Sequence, residues 1–346
     1  MTASSDDRIP ADLGLAAVAE WAPHERCWMA WPCRESLWGK RTGAARSAIA
    51  ELARTIARYE PVVVLANEAH VADASIRCGP GVEVLPIAID DSWPRDTGPV
   101  FLAGKRGRAG AVFRFNGWGG IHIPYQDDAQ LAQRMLERLS LAAYSVPLVL
   151  EGGALDGDGE GTILVTESCA LDPNRNPGAS REIVEEGLRH YLGAGAVIWL
   201  EGGLEHDETG GHADNVARFV APGRVAALDP GAPGEPNHDP LAANLAILLT
   251  TKDAQLRGLE IVTVPQPAPR RLDGRLLCQS YLNFCIANGA VIVPVFDDGA
   301  DGEALRILAA CFPGRRVEPF AAADIVFGGG GIHCATLNEP AKLDET

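Results

Sequence analysis

A cysteine next to a histidine follows a run of glycines near the end of the chain. Residues 328–336 read GGGGIHCAT, and the apolar residues 325–327 before them predict a strand that ends at this loop. Glycine allows positive φ angles and close approach of the backbone, and only the thiolate form of Cys334 would be a strong nucleophile. The segment fits either a catalytic loop around Cys334 or a tight turn that buries the cysteine.

A histidine and an aspartate stand two residues apart in the segment GGHADN (210–215). If a strand begins here, His212 and Asp214 point to the same face of it. An imidazole beside a carboxylate suits acid–base chemistry, the binding of a cation or a metal site, although no third metal ligand stands at matching spacing. A polar pair on the surface at a strand end is the alternative.

Two further acidic segments stand next to predicted strand ends. Residues 90–99 read DDSWPRDTGP, in which Asp96 can bind a cation and Trp93 can offer the cation a ring face. The alternative is a loop whose aspartates accept hydrogen bonds from backbone N–H groups. The other segment places Glu151 directly before Gly152 and Gly153.

All four segments carry polar groups beside glycine at the ends of predicted strands, where α/β folds commonly build their sites. The chain has neither a Gly-x-x-x-x-Gly-Lys-Ser/Thr nor a Gly-x-Gly-x-x-Gly motif, so nucleotide binding is not supported. A cysteine, a histidine and several carboxylates together predict covalent catalysis on a cationic carbon centre.

Amphipathic helices alternate with short β-branched runs along the chain, which predicts an α/β fold. The helical patterns cover residues 42–58, 127–140, 180–192, 240–254 and 302–312. The predicted strands cover residues 61–65, 82–89, 111–115, 147–150, 163–166, 197–200, 261–264 and 290–296. The sequence LEGG follows a strand at 150–153 and again at 200–203. We therefore expect repeated αβ units in one domain, residues 1–346, with peripheral tails at about 1–17 and 341–346.

Composition narrows the classes of partner and compartment. The 346 residues are 47% hydrophobic, which excludes intrinsic disorder, and the net charge of -16 disfavours nucleic acid and anionic membranes while attracting small cations. The N-terminus has no signal-peptide pattern and no apolar run reaches membrane-spanning length. Eight cysteines without a Cys-x-x-Cys motif indicate reduced thiols in a cytoplasm and disfavour a structural zinc site.

The chain resembles the agmatine deiminases in seven segments that follow one another in the same order between residues 18 and 340. The segments are EWAPHERCWMAWP (20–32), DSWPRDTGPVF (91–101), FNGWGG (115–120), LEGGALDGDGEGTILVTESCALDPNRNP (150–177), GHADN (211–215), SYLNFCIANG (280–289) and GGGGIHCAT (328–336). The resemblance implies a pentein fold, an α/β propeller of five ββαβ-like units with fivefold pseudosymmetry. It also implies hydrolysis of agmatine to N-carbamoylputrescine and ammonia, a step of putrescine biosynthesis, with no metal or organic cofactor and with a homodimeric assembly.

The resemblance also implies roles for individual residues. It makes Cys334 the nucleophile, His212 the general acid and base, Asp96 and Asp214 the guanidinium ligands, and Glu151 the partner that orients the histidine. The other substrate contacts that it implies are Trp93, Asn283, Asp207 and Glu208. Gly331, Ala213 and Cys285 depart from the family pattern, and the acidic loop 205–211 is one residue shorter, so recognition of the far amine is the feature that these changes affect.

Three other functions compete with this interpretation. A deiminase of free or peptidyl arginine, or an amidinotransferase, would use similar chemistry, with Arg95, Arg114 or Arg175 available for a substrate carboxylate. A non-catalytic protein that binds polyamines or guanidino metabolites would need carboxylates but no nucleophile. A metal-dependent hydrolase is the third. The combination of cysteine, histidine and carboxylates favours the covalent enzyme.

Overall fold

The structure is a computed structural model that describes residues 8–342. Residues 1–7 and 343–346 of the two predicted tails lie outside the described residues. From Pro10 onwards the chain is packed: Pro10 and Leu15 are buried, and Ala16–Ala17 pairs with another strand. The chain therefore joins the packed fold earlier than the predicted tail boundary at residue 17. Within the described range no helix is both long and apolar enough to cross a membrane.

Within residues 8–342, five sheets of three or four strands form the body of the fold. In the order of hydrogen-bonded neighbours, the two four-stranded sheets are β19 (Thr336–Pro340), β2 (His24–Ala30), β3 (Val62–Ala66) and β4 (Val82–Pro86), and β1 (Ala16–Ala17), β5 (Val100–Gly104), β6 (Gly107–Arg114) and β7 (Ala142–Val149). Two three-stranded sheets follow: β8 (Leu155–Gly157), β9 (Thr162–Thr166) and β10 (Ala196–Leu200), and β11 (Ala217–Ala221), β12 (Arg224–Leu228) and β13 (Glu260–Val264). The third three-stranded sheet is β16 (Cys285–Ala287), β17 (Ala290–Val295) and β18 (Arg316–Ala321). A short hairpin pairs β14 (Arg271–Leu272) with β15 (Arg275–Leu276).

The helices connect these strands. They are α1 (Glu35–Trp38), α2 (Thr42–Ile56), α3 (Val71–Cys78), α4 (Pro94–Thr97), α5 (Gly117–Gly120), α6 (Leu131–Leu139), α7 (Glu167–Ala170), α8 (Arg181–Leu192), α9 (His238–Thr250), α10 (Asp301–Cys311) and α11 (Ala323–Val326). The five predicted helices correspond to α2, α6, α8, α9 and α10, and all eight predicted strands are present, so these predictions are confirmed. Each of the five helices buries an apolar face; in α2 that face includes Ile49, Leu52 and Ile56.

One pairing pattern recurs in all five sheets. An antiparallel pair is followed by a parallel strand, and one of the five long helices lies between the two parallel strands in sequence. The pairs joined in this way are β2–β3 by α2, β6–β7 by α6, β9–β10 by α8, β12–β13 by α9 and β17–β18 by α10. This recurrence gives a structural basis to the repeated αβ units that the sequence predicts. The fold class is mixed α/β.

Two local predictions are wrong. Residues 325–327 do not form a strand, because the alanine-rich residues before them start the short helix α11 at Ala323. The segment 210–215 is not a strand either. Gly210 and Gly211 have φ angles of +83° and +104°, so the chain turns there and continues as the 3-10 turn Ala213–Asn215 before β11.

Candidate active site

The candidate site residues stand where the chain enters the first strand of the antiparallel pair in each sheet. Cys334 precedes β19, Asp96 precedes β5, Glu151 precedes β8, Asp214 precedes β11 and Asn283 precedes β16. An antiparallel strand starts at the edge where its parallel neighbours end. All five residues therefore lie at the corresponding edge of their sheets, and Cys334 precedes a strand, whereas the sequence pattern predicts it after one.

The side chains converge closely around Gly153. A Cβ atom at Gly153 would lie 2.7 Å from His212 Nδ1, 2.8 Å from Asp96 Oδ1 and 2.9 Å from Asp214 Oδ2. Cys334 Sγ lies 3.5 Å from Asp214 Oδ2. These four side chains are buried. The structure thus brings together a thiol, an imidazole and two carboxylates from distant parts of the sequence.

His212 is surrounded by negative charge. Its Nε2 lies 3.2 Å from Glu151 Oε2, and its Nδ1 lies 3.8 Å from Asp96 Oδ1 with no hydrogen-bond partner among residues 8–342. Burial alone would lower the pKa of His212, but the carboxylates of Asp96 and Glu151 outweigh burial and hold that pKa well above its usual value. At neutral pH the ring is an imidazolium whose Nδ1–H faces the space beside Gly153.

Glu151 is itself held by an arginine. Arg175 Nε donates to both oxygens of Glu151, at 3.0 and 3.1 Å, and both side chains are buried. The Cys169 thiol also lies 3.6 Å from Glu151 Oε2. Possible metal-ligating atoms of Glu151, Cys169 and His212 lie within 4.8 Å of one another. Because Arg175 already occupies the carboxylate, this cluster fits a hydrogen-bonded network around His212 better than a metal centre.

Cys334 is a protonated thiol in the free site. Burial raises the pKa of the Cys334 thiol well above its ordinary value, and the carboxylates of Asp214 and Asp96 raise it further. Asn283 Nδ2 lies 3.4 Å from Sγ and lowers the pKa only in part. A cation placed against the two carboxylates would remove the repulsion that keeps the thiol protonated.

Asp96 and Asp214 differ in how many of their carboxylate oxygens already accept a hydrogen bond. Asp96 accepts hydrogen bonds from Trp118 Nε1 at 3.0 Å and from the Gly153 N–H at 2.9 Å, and burial raises its pKa. Asp214 Oδ1 is buried without a hydrogen-bond partner in the described part of the chain. A buried acceptor of this kind is costly unless a ligand satisfies it. Asp214 Oδ1 is therefore a direct sign of a ligand with hydrogen-bond donors.

A narrow cavity of about 330 Å³ leads to Cys334. Its walls include Trp93 and Trp118, and Glu208 lies among its lining residues. The remaining lining residues are Asp96, His122, Thr209, Gly328, Gly329 and Gly330. Aromatic rings together with the carboxylates of Asp96 and Glu208 suit a slender cationic molecule.

Glu208 and Asp207 have different surroundings. Glu208 accepts from Arg275 Nη2 at 2.6 Å and lies 3.6 Å from His122 Nε2; His122 and Arg275 together lower the pKa of Glu208. Asp207 is not among the cavity residues, because its carboxylate accepts hydrogen bonds from Thr209 and from Asn215 Nδ2 and so shapes its own loop. The structure therefore places Glu208 at the cavity and Asp207 beside it.

Sequence reasoning missed several residues of this site. Trp118, His122 and Thr209 line the cavity, and Arg175, which the sequence offered only as a partner for a substrate carboxylate, instead holds Glu151. Trp118 and Arg175 lie in segments that carry the family resemblance, but no local pattern connects them with the other site residues. Only the long-range packing of the loops brings them together.

Replacement of Gly153 by alanine is expected to lower kcat/KM by about 10- to 100-fold, because the added methyl group would occupy the space shared by His212, Asp96 and Asp214. The backbone of Gly153 does not have a positive φ, so alanine adds bulk without backbone strain. Steady-state kinetics and thermal melting test this expectation. Gly157→Ala is the matched control, since its Cβ would meet only Thr162 O at 3.7 Å. Equal activity of the two variants would contradict the proposed position of the reacting group.

Comparison with known proteins gives a consistent result. The model of the Porphyromonas-type peptidyl-arginine deiminase family matches residues 16–340. The chain is 40% identical to the agmatine deiminase of Stutzerimonas stutzeri, over 96% of this chain and 98% of the relative. It is 39% identical to that of Pseudomonas aeruginosa, over 98% and 99%. Among solved structures, the agmatine deiminase of Enterococcus faecalis is similar with a TM-score of 0.93 at 32% identity, over 96% of this chain and 98% of the other.

Proposed function

Because this chain belongs to the Porphyromonas-type peptidyl-arginine deiminase family, we propose that it hydrolyses agmatine to N-carbamoylputrescine and ammonia. The resemblance inferred from the sequence is confirmed, since full-length relatives at about 40% identity are agmatine deiminases. The observation that carries the proposal is the buried space in which a thiol, an imidazolium and two carboxylates face one another. That arrangement suits a guanidinium whose central carbon is attacked by sulfur.

Substrate binding uses both ends of the cavity. Asp96 and Asp214 hold the planar guanidinium with charge-assisted hydrogen bonds, which fix the orientation of its central carbon. Trp93 and Trp118 cover the four methylenes, and Glu208 binds the far ammonium. Agmatine carries a positive charge at each end, so its charges match the acidic groups at the two ends of the cavity.

The first chemical step forms a carbon–sulfur bond. The bound cation lowers the pKa of Cys334, the thiol proton is released to solvent as the substrate binds, and the thiolate attacks the central guanidinium carbon. His212 donates its Nδ1 proton to the departing nitrogen, which leaves as ammonia. The product of this step is an S-amidino derivative of Cys334. The Glu151–Arg175 pair keeps the imidazole ring in place during the transfer.

The second step regenerates the enzyme. His212, now neutral, takes a proton from a water molecule that attacks the same carbon. The carbon–sulfur bond breaks, Cys334 leaves as thiolate, and N-carbamoylputrescine is released. Acid and base catalysis by one correctly held histidine contributes roughly 10²–10⁴ to the rate.

The five sheets suggest how the site is assembled. Cys334, Asp96, Glu151, Asp214 and Asn283 each come from the entry to a different sheet. An arrangement of five similar units around one axis, the pentein propeller, places all five entries at its centre, and residues 8–342 then form one catalytic domain. A homodimer in the cytoplasm completes the proposal. Light scattering of the purified protein tests the dimer, and a monomeric mass would contradict it.

Two of the three arginines considered for the carboxylate of free arginine have other partners. Arg95 donates to Glu20 Oε1 and Asn338 Oδ1, and Arg175 donates to Glu151. Glu208, at the cavity, would repel a carboxylate. These contacts favour agmatine over arginine as the substrate.

An assay of three guanidino compounds tests the proposed function. The protein is incubated with agmatine, arginine or an arginine-containing peptide, with and without a chelator, and ureido product and ammonia are measured. We expect turnover of agmatine that the chelator does not change. Preference for arginine or for the peptide, or loss of activity with the chelator, would contradict the proposal.

A further inference from the structure

His333, the residue before the nucleophile, lies between two carboxylates. Its Nδ1 is 2.8 Å from Asp214 Oδ2 and its Nε2 is 2.8 Å from Glu20 Oε1. The ring is buried. Its backbone N–H donates to Asn283 Oδ1 at 2.9 Å, so the ring has two partners and the backbone a third.

These contacts determine the protonation of the ring. A neutral imidazole has one N–H donor, so its second nitrogen would direct a lone pair at a carboxylate oxygen. Both distances are short, and carboxylates are acceptors only. The geometry is therefore that of an imidazolium that donates to Asp214 and Glu20 at the same time.

Glu20 is a fixed anchor for this imidazolium. It lies in the turn between β1 and β2, far from His333 in sequence. Arg95 Nη1 donates to Glu20 Oε1 at 2.6 Å, and Arg218 Nη2 donates to Glu20 Oε2 at 2.6 Å. Two arginines thus hold Glu20, and Glu20 holds His333.

Asp214 needs such support to bind a guanidinium. Asp214 is buried and lies near Asp96, and both burial and this neighbouring negative charge favour a neutral carboxyl group. Burial alone would raise the pKa of Asp214. The hydrogen bond from His333 and the positive charges nearby outweigh burial, and they lower that pKa below its usual value. The bond also fixes Oδ2, which leaves Oδ1 as the open acceptor.

We propose that His333, charged and anchored by Glu20, is a positioning residue that keeps Asp214 ionised and turns its Oδ1 toward the guanidinium of the substrate. The inference rests on the proposed function, because it concerns the binding of the guanidinium. His333 does not touch the reacting atoms in this role. It acts through Asp214.

The test is His333→Gln, which keeps one donor but removes the charge. We expect KM for agmatine to rise by roughly 10- to 100-fold, the effect of losing a charged hydrogen bond, while kcat changes by less than about 3-fold. The pH dependence is the second readout. Without the imidazolium the pKa of Asp214 rises, and protonated Asp214 cannot bind the cation. As the pH is lowered, KM should therefore begin to increase at a higher pH in the variant than in the wild type.

Several charged or titratable groups surround His333 and enter the interpretation of that profile. Glu20 and Asp214 contact the ring, Arg95 and Arg218 contact Glu20, and Cys334 is next in the chain. Glu20→Gln is the companion variant. It leaves His333 without its anchor, so KM should change in the same direction as in His333→Gln, and the double variant should add little to either single one.

His190→Gln is the control. His190 lies on α8, outside the site and away from Glu20 and His333. We expect an unchanged KM. If the wild type turns over agmatine and His333→Gln retains the wild-type KM across the pH range, the positioning role is wrong and the proposed function stands. If the wild type does not turn over agmatine, the proposed function itself fails.

A measurement on the wild-type protein covers the case in which His333→Gln does not fold. Nitrogen-15 NMR of histidine-labelled protein reports whether each ring nitrogen carries a proton. We expect both nitrogens of His333 to be protonated at pH 7, assigned by comparison with His24→Gln and with a variant lacking an exposed histidine. A neutral His333 ring would overturn the inference.

Discussion

Replacement of Cys334 by serine is expected to lower kcat for agmatine by at least about 10⁴-fold, the usual scale for loss of a catalytic nucleophile. A serine hydroxyl is a far weaker acid than a thiol, so the serine stays protonated and is a poor nucleophile under the same conditions. The guanidinium ligands remain in place, so the variant should still bind agmatine. Ammonia release measures the loss, and calorimetry measures the retained binding.

A second cysteine variant provides the control for this result. Cys78 is also buried, on α3, and does not belong to the site. Cys78→Ser places a hydroxyl in the core at a similar cost in stability, and we expect its kcat to match that of the wild type. Substantial agmatine hydrolysis by Cys334→Ser, with a folded protein, would end the assignment of Cys334 as the nucleophile.

Replacement of His212 by asparagine is expected to lower kcat by roughly 10²–10⁴-fold, since both proton transfers lose their donor and acceptor. The pKa of His212 is raised by the neighbouring carboxylates, so the wild-type imidazolium persists above neutral pH and its acid role is lost only as the pH rises through that higher pKa. The wild type should therefore lose kcat on the alkaline side. The kcat of His212→Asn should not show this alkaline decline.

The control for this variant is His190→Asn, a histidine on α8 outside the site. Its kcat and pH profile should be those of the wild type. A His212→Asn enzyme that keeps kcat within tenfold of the wild type, or that shows the same alkaline decline, would contradict the acid and base role.

Much of the architecture is readable from the sequence because it depends on local periodicity. The helix α2 is predictable since Ile49, Leu52 and Ile56 repeat at helical spacing. The errors come from short segments. Ile325 and Val326 favour a strand by residue type, yet the alanines before them and the packing of the turn produce a helix.

The candidate site residues can be singled out in the sequence, but the contacts between them cannot. Cys334, His212 and the acidic residues are recognisable because reactive types stand beside glycine at strand boundaries. No local pattern shows that Arg175 holds Glu151, that Trp118 donates to Asp96, or that Glu20 reaches His333 across more than three hundred residues of sequence. These contacts depend on how five sheets meet, which periodicity does not specify.

The covalent intermediate is the most direct test of the proposed chemistry. The protein is mixed with agmatine, quenched in acid within the first turnovers, digested and analysed by mass spectrometry. We predict that the peptide carrying Cys334 gains the mass of agmatine less one ammonia, and that the adduct decays as N-carbamoylputrescine accumulates. Product formation without this adduct at any quench time, or an adduct on Cys169 in place of Cys334, would contradict covalent catalysis by Cys334.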